Sequence, residues 1–178
     1  TIELLAPLIT SKTRLKLLIR FFLNQSVDCY LPGLSKELDE NTNSIRVELN
    51  RLEEAGLLSY ELQGRRKLYK VNVAHPLSSD ITSIVRKVSG IYVLVERVVE
   101  NLPGLKQVGV CGDLARGVES ETINTQLVGE QLDYTYINGL SSKVEKLTGK
   151  KVQAQILERM PREKAAACLL VWEKVEKD

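Results

Sequence analysis

The stretch Asn43-Ser-Ile-Arg-Val-Glu-Leu-Asn-Arg-Leu-Glu-Glu-Ala-Gly-Leu-Leu58 and the fifteen residues after it carry two different periods, and the switch between them decides the fold. Ile45, Leu49 and Leu52 recur at helical spacing and form one inward stripe. Asn41 or Thr42 is placed to cap the start of that helix, and Gly56 to end it, so a helix is expected over 43–55. From Leu58 the period falls to two. Leu58, Tyr60 and Leu62 alternate with Ser59 and Glu61, Gln63-Gly64-Arg65-Arg66 makes a turn, and Leu68 to Val73 alternates again, which predicts a hairpin that His75-Pro76 ends.

Upstream, Leu15, Leu18, Ile19 and Phe22 lie at helical spacing within Leu4 to Leu23, with Lys12, Arg14, Lys16 and Arg20 between them. Tyr30 to Leu38 carries Pro32 near a helix start and Leu34 and Leu38 four apart, and Asp39-Glu40-Asn41 then interrupts it. Helix, short helix, turn, helix and hairpin within about seventy residues is the order of a winged helix-turn-helix, whose last helix enters the major groove. With the stripe inward, Asn43, Ser44, Arg46, Val47 and Asn50 face outward near the helix start, with Arg51 beyond them. Asn and Arg side chains make bidentate hydrogen bonds to base edges. Arg65, Arg66 and Lys67 fall at the hairpin tip, within reach of phosphates or the minor groove. Acidic Glu53 and Glu54 lie at the far end of the helix. The opposing reading is that Arg46 and Arg51 only pair with Glu48, Glu53 or Glu54 on a solvated face, and that the tip charges keep an edge hairpin soluble.

Composition neither adds to this nor removes it. With 43% hydrophobic and 27% charged residues the balance is that of an ordinary globular chain. Lys and Arg number 11 against 9 acids up to His75 and 14 against 14 beyond it, so DNA affinity must come from local clustering. Cys29, Cys111 and Cys168 are far apart and odd in number, which predicts buried reduced thiols rather than a disulfide framework or a zinc site. Lone His75 lacks neighbours that would make it a ligand or a catalyst and is read as structural. No apolar run approaches the roughly 20 residues that span a bilayer and no signal-peptide pattern is visible, so a cytoplasmic protein with no membrane partner is expected.

From Leu77 to Leu102, Ile81, Ile84, Val85, Val88, Ile91, Val95, Val98 and Val99 make a long helical stretch with a break near Ser89-Gly90. Asn101-Leu102-Pro103-Gly104 closes it, and Gln107 to Cys111 opens a second apolar segment as a strand. The residues from Arg159 to Lys177, with Ala165, Cys168, Leu169, Val171 and Trp172 among charges, read as a final helix.

Two resemblances join these observations. The stretch 43–58 resembles the recognition helix of winged-helix repressors, in which a leucine ladder ends in Gly-Leu ahead of the wing. Val108-Gly-Val-Cys-Gly-Asp-Leu-Ala-Arg-Gly-Val118 resembles the opening of the small nucleotidyltransferase fold, where a strand ends in Gly-Ser and Ala-Arg-Gly follows on a helix. That resemblance implies a phosphate cradle at Gly112 and Arg116 on the helix, but the serine position holds Asp113, whose charge opposes a triphosphate. It also implies two metal-binding aspartates, and alignment on Glu121-Thr-Ile-Asn124 puts Thr122 and Asn124 there, with Gln153 and Gln155 on the later strand. Neutral side chains are poor ligands for hard divalent cations. Glu119 and Glu121 share the spacing of the lost pair but would face the other side of a strand. His75-Pro76-Leu77 followed by Leu102-Pro103-Gly104 resembles the joint between a winged helix and a domain of this kind in bacterial and archaeal proteins.

The expected protein is therefore α+β: a winged helix-turn-helix over 1–76, a connector helix over 77–102 and a degenerate nucleotidyltransferase-like α/β domain over 103–178. Its expected role is transcription regulation. The helix at 43–55 would read the major groove, the wing at 63–67 would hold phosphates or the minor groove, and the second domain would regulate or assemble without catalysis. No cofactor and no metal are expected. The expected partners are double-stranded DNA and a second copy of the chain, met through the first helix and the stretch 77–102; any small-molecule effector is left unnamed. Two rivals stay open: an active metal-dependent nucleotidyltransferase, and a winged helix that binds protein instead of DNA.

Overall fold

The computed structural model describes residues 2–26, 28–159 and 168–175, and the chain forms a mixed α/β protein with two small sheets. It divides into two compact units, Thr1–Val88 and Ser89–Asp178.

In the first unit, α1 (Ile2–Leu5) and α2 (Lys12–Leu23) replace the single helix expected over 4–23. Ser11 stands between them as the N-cap of α2, its hydroxyl accepting from the Arg14 amide at 3.2 Å, so the apolar run is cut by a cap that the spacing alone does not reveal. Leu15, Leu17, Leu18, Ile19, Phe21, Phe22 and Leu23 of α2 are all buried, so most of the helix surface is covered by its unit. Helix α3 (Leu31–Leu38) ends at Asp39, which takes a left-handed φ of 49° and turns the chain towards α4 (Thr42–Glu54). Asn41 caps α4, accepting from the amides of Asn43 at 2.8 Å and Ser44 at 3.4 Å. The expected stripe of Ile45, Leu49 and Leu52 is buried.

Strands β2 (Leu58–Gln63) and β3 (Arg66–Val71) form the hairpin around a two-residue Gly64-Arg65 loop. A two-residue strand missed by the sequence pattern, β1 (Cys29–Tyr30), pairs antiparallel with β3 and gives the sheet order β1-β3-β2. The alternation on β2 holds only at its base: Leu58 is buried, whereas Tyr60 and Leu62 are exposed because the hairpin extends past the core.

The stretch expected as one connector is two helices, α5 (Ser78–Ser89) and α6 (Ile91–Asn101). Gly90 separates them with φ 86°, and a Cβ there would press Ile123 and Thr148 at 3.2 Å, so the position requires glycine on both counts.

The second unit is a four-stranded sheet of order β6-β5-β4-β7, built from β4 (Leu105–Cys111), β5 (Thr122–Gly129), β6 (Lys151–Leu157) and β7 (Cys168–Glu173). Strand β4 runs antiparallel to β5 and β7, while β5 and β6 are parallel and are joined through α7 (Tyr134–Thr148). One sheet face is dry: Val108, Val110, Ile123 and Leu127 are buried, as are Ile91, Leu94 and Val98 of α6 and Ile137, Leu140 and Val144 of α7. The alternation on β5 and β6 turns Asn124, Gln126, Gln153 and Gln155 to the other face.

Two expectations fail here. Residues 168–173 form the edge strand β7 instead of part of a helix, and Arg159, Lys174 and Val175 are not helical; the rest of that expected helix, at 160–167 and 176–177, lies outside the described residues. Cys111 and Cys168 are not reduced thiols but face each other across β4 and β7 and form a disulfide. Their sequence separation of 57 hides a pairing that only the strand register creates. Cys29 is a buried thiol outside that bond; burial pushes its pKa up to about 11, helped by Glu37 and Asp28 and opposed by Arg20. No helix among the described residues is long and apolar enough to cross a membrane.

Peptide mapping of unreduced protein should therefore yield a Cys111–Cys168 cross-linked pair, with Cys29 alkylated only after unfolding. Reduction should lower the stability of the second unit by about 2–4 kcal/mol. Recovery of both half-cystines as free thiols without reductant would refute the pairing.

Candidate functional site

The candidate residues of the first unit sit on α4 and the hairpin, and their placement follows from one carboxylate. Glu48, on the same buried side of α4 as Leu49 and Leu52, is 5% exposed. It accepts from Arg14 Nε at 2.8 Å and Nη2 at 3.4 Å, from Ser11 Oγ at 2.9 Å and from Arg51 Nη1 at 3.0 Å. The cap of α2 is thereby tied to the middle of α4. Burial alone would push the Glu48 carboxyl up, but the hydrogen bonds from Arg14 and Ser11 and the charges of Arg14 and Arg51 hold it below its ordinary value.

With α4 fixed in this rotation, Asn43, Ser44, Arg46 and Asn50 are exposed and Val47 is 41% exposed. Arg46 and Asn50, one turn apart, line a cleft of about 360 Å³ whose other wall is the hairpin, with Arg65, Arg66 and Lys67. Tyr30, Leu31, Pro32 and Tyr69 complete it. The cleft thus collects five of the nine residues expected to touch DNA, and Asn43, Ser44 and Val47 extend the same helix surface towards its capped start.

Two of the nine residues, Arg51 and Lys67, are held in ion pairs. Arg51 spends a guanidinium nitrogen on Glu48, as the opposing reading supposed for that residue, whereas Arg46 enters none of the ion pairs among the described residues. Lys67 turns back from the tip: its ammonium lies 3.0 Å from Glu53 Oε2 and 3.8 Å from the centre of the Tyr60 ring. The hydrogen bond to Glu53 is what chiefly raises its pKa. Lys67 therefore braces the hairpin against the end of α4, and Arg65 and Arg66 are the exposed cations of the tip.

Sequence reasoning missed Tyr30 and Tyr69. Tyr69 is buried beside the cleft, and Tyr30 meets Gln63 across it through its hydroxyl. The alternation through Leu68 to Val73 carried a signal for Tyr69; none existed for Tyr30, whose place depends on the two-residue pairing of β1 with β3. His75 stays structural in its contacts, its Nδ1 accepting from the Leu77 amide at 3.1 Å.

In the second unit the strand end at Cys111 brings the other candidate residues together. Gly112 takes φ 73°, and a Cβ there would lie 3.3 Å from the side-chain nitrogen of Asn124. Asp113 opens a single 3-10 turn, Leu114–Arg116, where the resemblance implied a helix, and its carboxylate is paired with Arg116. Thr122 and Asn124 lie on one face of β5, and Asn124 and Gln126 stand beside Gln153 and Gln155 of β6. A shallow hollow of about 170 Å³ lies over these amides. Glu119 and Glu121 precede β5 and are not strand residues, so strand alternation does not govern them. Among the described residues no group of three His, Cys, Asp or Glu side chains is arranged to hold a metal ion.

Compared with models of protein families, with curated proteins and with solved structures, the chain matches none.

Removing the Glu48 carboxylate tests the first of these arrangements. Glu48→Ala should cost roughly 2–3 kcal/mol of stability, the scale of charge-assisted hydrogen bonds lost from a buried partner. Because the folded Glu48 pKa is lowered, its contribution is full above the unfolded value of about 4.3 and disappears as pH falls through the folded one. Denaturant melts between pH 7 and pH 3 should show the gap between the two proteins narrowing towards acid; a constant gap would contradict the assignment.

Proposed function

We propose that the chain is a DNA-binding transcription regulator. The observation that carries this is the cleft in which Arg46 and Asn50 of α4 meet Arg65 and Arg66 of the hairpin. A helix offering Arg and Asn at its outer face and a hairpin offering cations one strand-length away is the arrangement that reads base edges with one element and grips phosphates with the other. The order of α2, α3, α4 and the hairpin supports a winged helix-turn-helix, with α4 as the recognition helix.

The protein acts as a homodimer in this reading, because one winged helix contacts little DNA and paired modules gain register on a near-palindromic site. Exposed apolar side chains support this: Leu4 and Leu8 near the start of the chain, Leu77 just before α5 and Ile84 on it.

The second unit is a nucleotidyltransferase-like domain without catalysis. Its order supports the likeness: a strand that ends just before Gly112, an antiparallel strand carrying Thr122 and Asn124, a helix, and a parallel strand carrying Gln153 and Gln155. Metal-assisted phosphoryl transfer needs anionic ligands at those positions, where Thr, Asn and Gln supply only dipoles. Asp113, paired with Arg116, puts a negative charge where a phosphate would sit.

Selection of random duplex DNA by the purified protein at two salt concentrations tests the reading. A two-fold symmetric motif should be enriched, and binding should weaken with salt. Arg46→Ala should cost about 1–3 kcal/mol and relax the preference at one base pair, while the double change of Arg65 and Arg66 to Ala should weaken all sequences alike and flatten the salt dependence. No enrichment at either salt would leave the winged helix as a protein-binding module.

A further inference from the structure

Helices α6 and α7 pack side by side over the sheet, and a groove of about 370 Å³ remains on their outer side. Arg97 and Asn101, one turn apart on α6, form one wall, and Leu140, Lys143, Lys146 and Leu147 of α7 form the floor and the other wall. Leu147 is 60% exposed although it follows the buried side chains of its own helix, so the groove keeps an apolar floor open to solvent. None of the lining residues is acidic, and Arg97, Lys143 and Lys146 take part in no ion pair found among the described residues.

We propose that this groove is a binding site for a small amphiphilic carboxylate. Its hydrocarbon part lies over Leu147, and its carboxylate sits among the cationic side chains of Arg97, Lys143 and Lys146. The size favours a small molecule over a protein segment: the groove is within the ordinary range of small-molecule pockets, about 300–1,000 Å³, whereas a stable protein interface covers about 800 Å² on each partner. An apolar floor with a few convergent polar groups is the usual build of such pockets. The site is independent of the DNA reading.

Titration of the full-length chain with octanoate, followed by calorimetry and by amide chemical shifts, tests the proposal. Saturable binding should appear with shifts confined to α6 and α7, and octanol should bind about tenfold more weakly because it lacks the charge. Arg97→Gln and Lys143→Gln should each weaken octanoate by about tenfold, and Leu147→Asn, at an exposed position that folding does not need, should weaken octanoate and octanol together. Circular dichroism of each variant separates lost binding from lost fold. Absence of saturable octanoate binding, equal binding of octanol, or unchanged affinity in Arg97→Gln and Leu147→Asn would each overturn it. Binding of an acidic amphipathic peptide in the groove while octanoate stays out would assign the site to a macromolecular partner instead.

Discussion

The first unit depends on the carboxylate of Glu48. Apolar contacts through Ile45, Leu49 and Leu52 bury one side of α4 but are nondirectional and would tolerate some rotation of the helix. Four donors converging on one buried carboxylate remove that tolerance, because each of their directions is lost if the helix turns. The pair Lys67–Glu53 does the same for the hairpin at the other end of the helix. Together they set the distance between the outer face of α4 and the hairpin tip, and so create the cleft. Two residues with the composition of DNA contacts, Arg51 and Lys67, serve to hold the others in place.

The second unit solves a different problem. Its sheet buries one face under α6 and α7 and turns an uncharged row of amides outward, so the unit has a complete core without using its polar face at all. The edge strand β7 is attached to that sheet by backbone pairing with β4 and by the Cys111–Cys168 bond. The cationic groove between the two helices lies on the side that the sheet does not use.

What the sequence made legible was local. The period-3.6 stripe of α4 and the end signals at Asn41 and Gly56 are encoded within a few residues of where they act, as are the Gly64-Arg65 loop and the apolar strand at 107–111, and they formed where the pattern put them. What failed was set by partners far along the chain. β1 is two residues long and exists only because β3 lies beside it. The bond of Cys111 to Cys168 needs the register of β4 with β7. The residues 168–173 have no period of their own and become a strand because β4 offers an edge. In the candidate site, Arg46 and Asn50 were legible because exposure follows from the stripe, and Arg65 and Arg66 because the turn puts them at the hairpin tip; the diversion of Lys67 to Glu53 was not, since fourteen residues separate them.

The central claim is that duplex DNA enters the cleft between α4 and the hairpin. Amide hydrogen exchange of the full chain with and without its selected duplex measures this most directly. The account predicts slowed exchange at 43–50 and 63–69, with α6 and α7 unchanged in rate. Protection confined to the second unit, or none in the first at a DNA concentration that saturates binding, would contradict it.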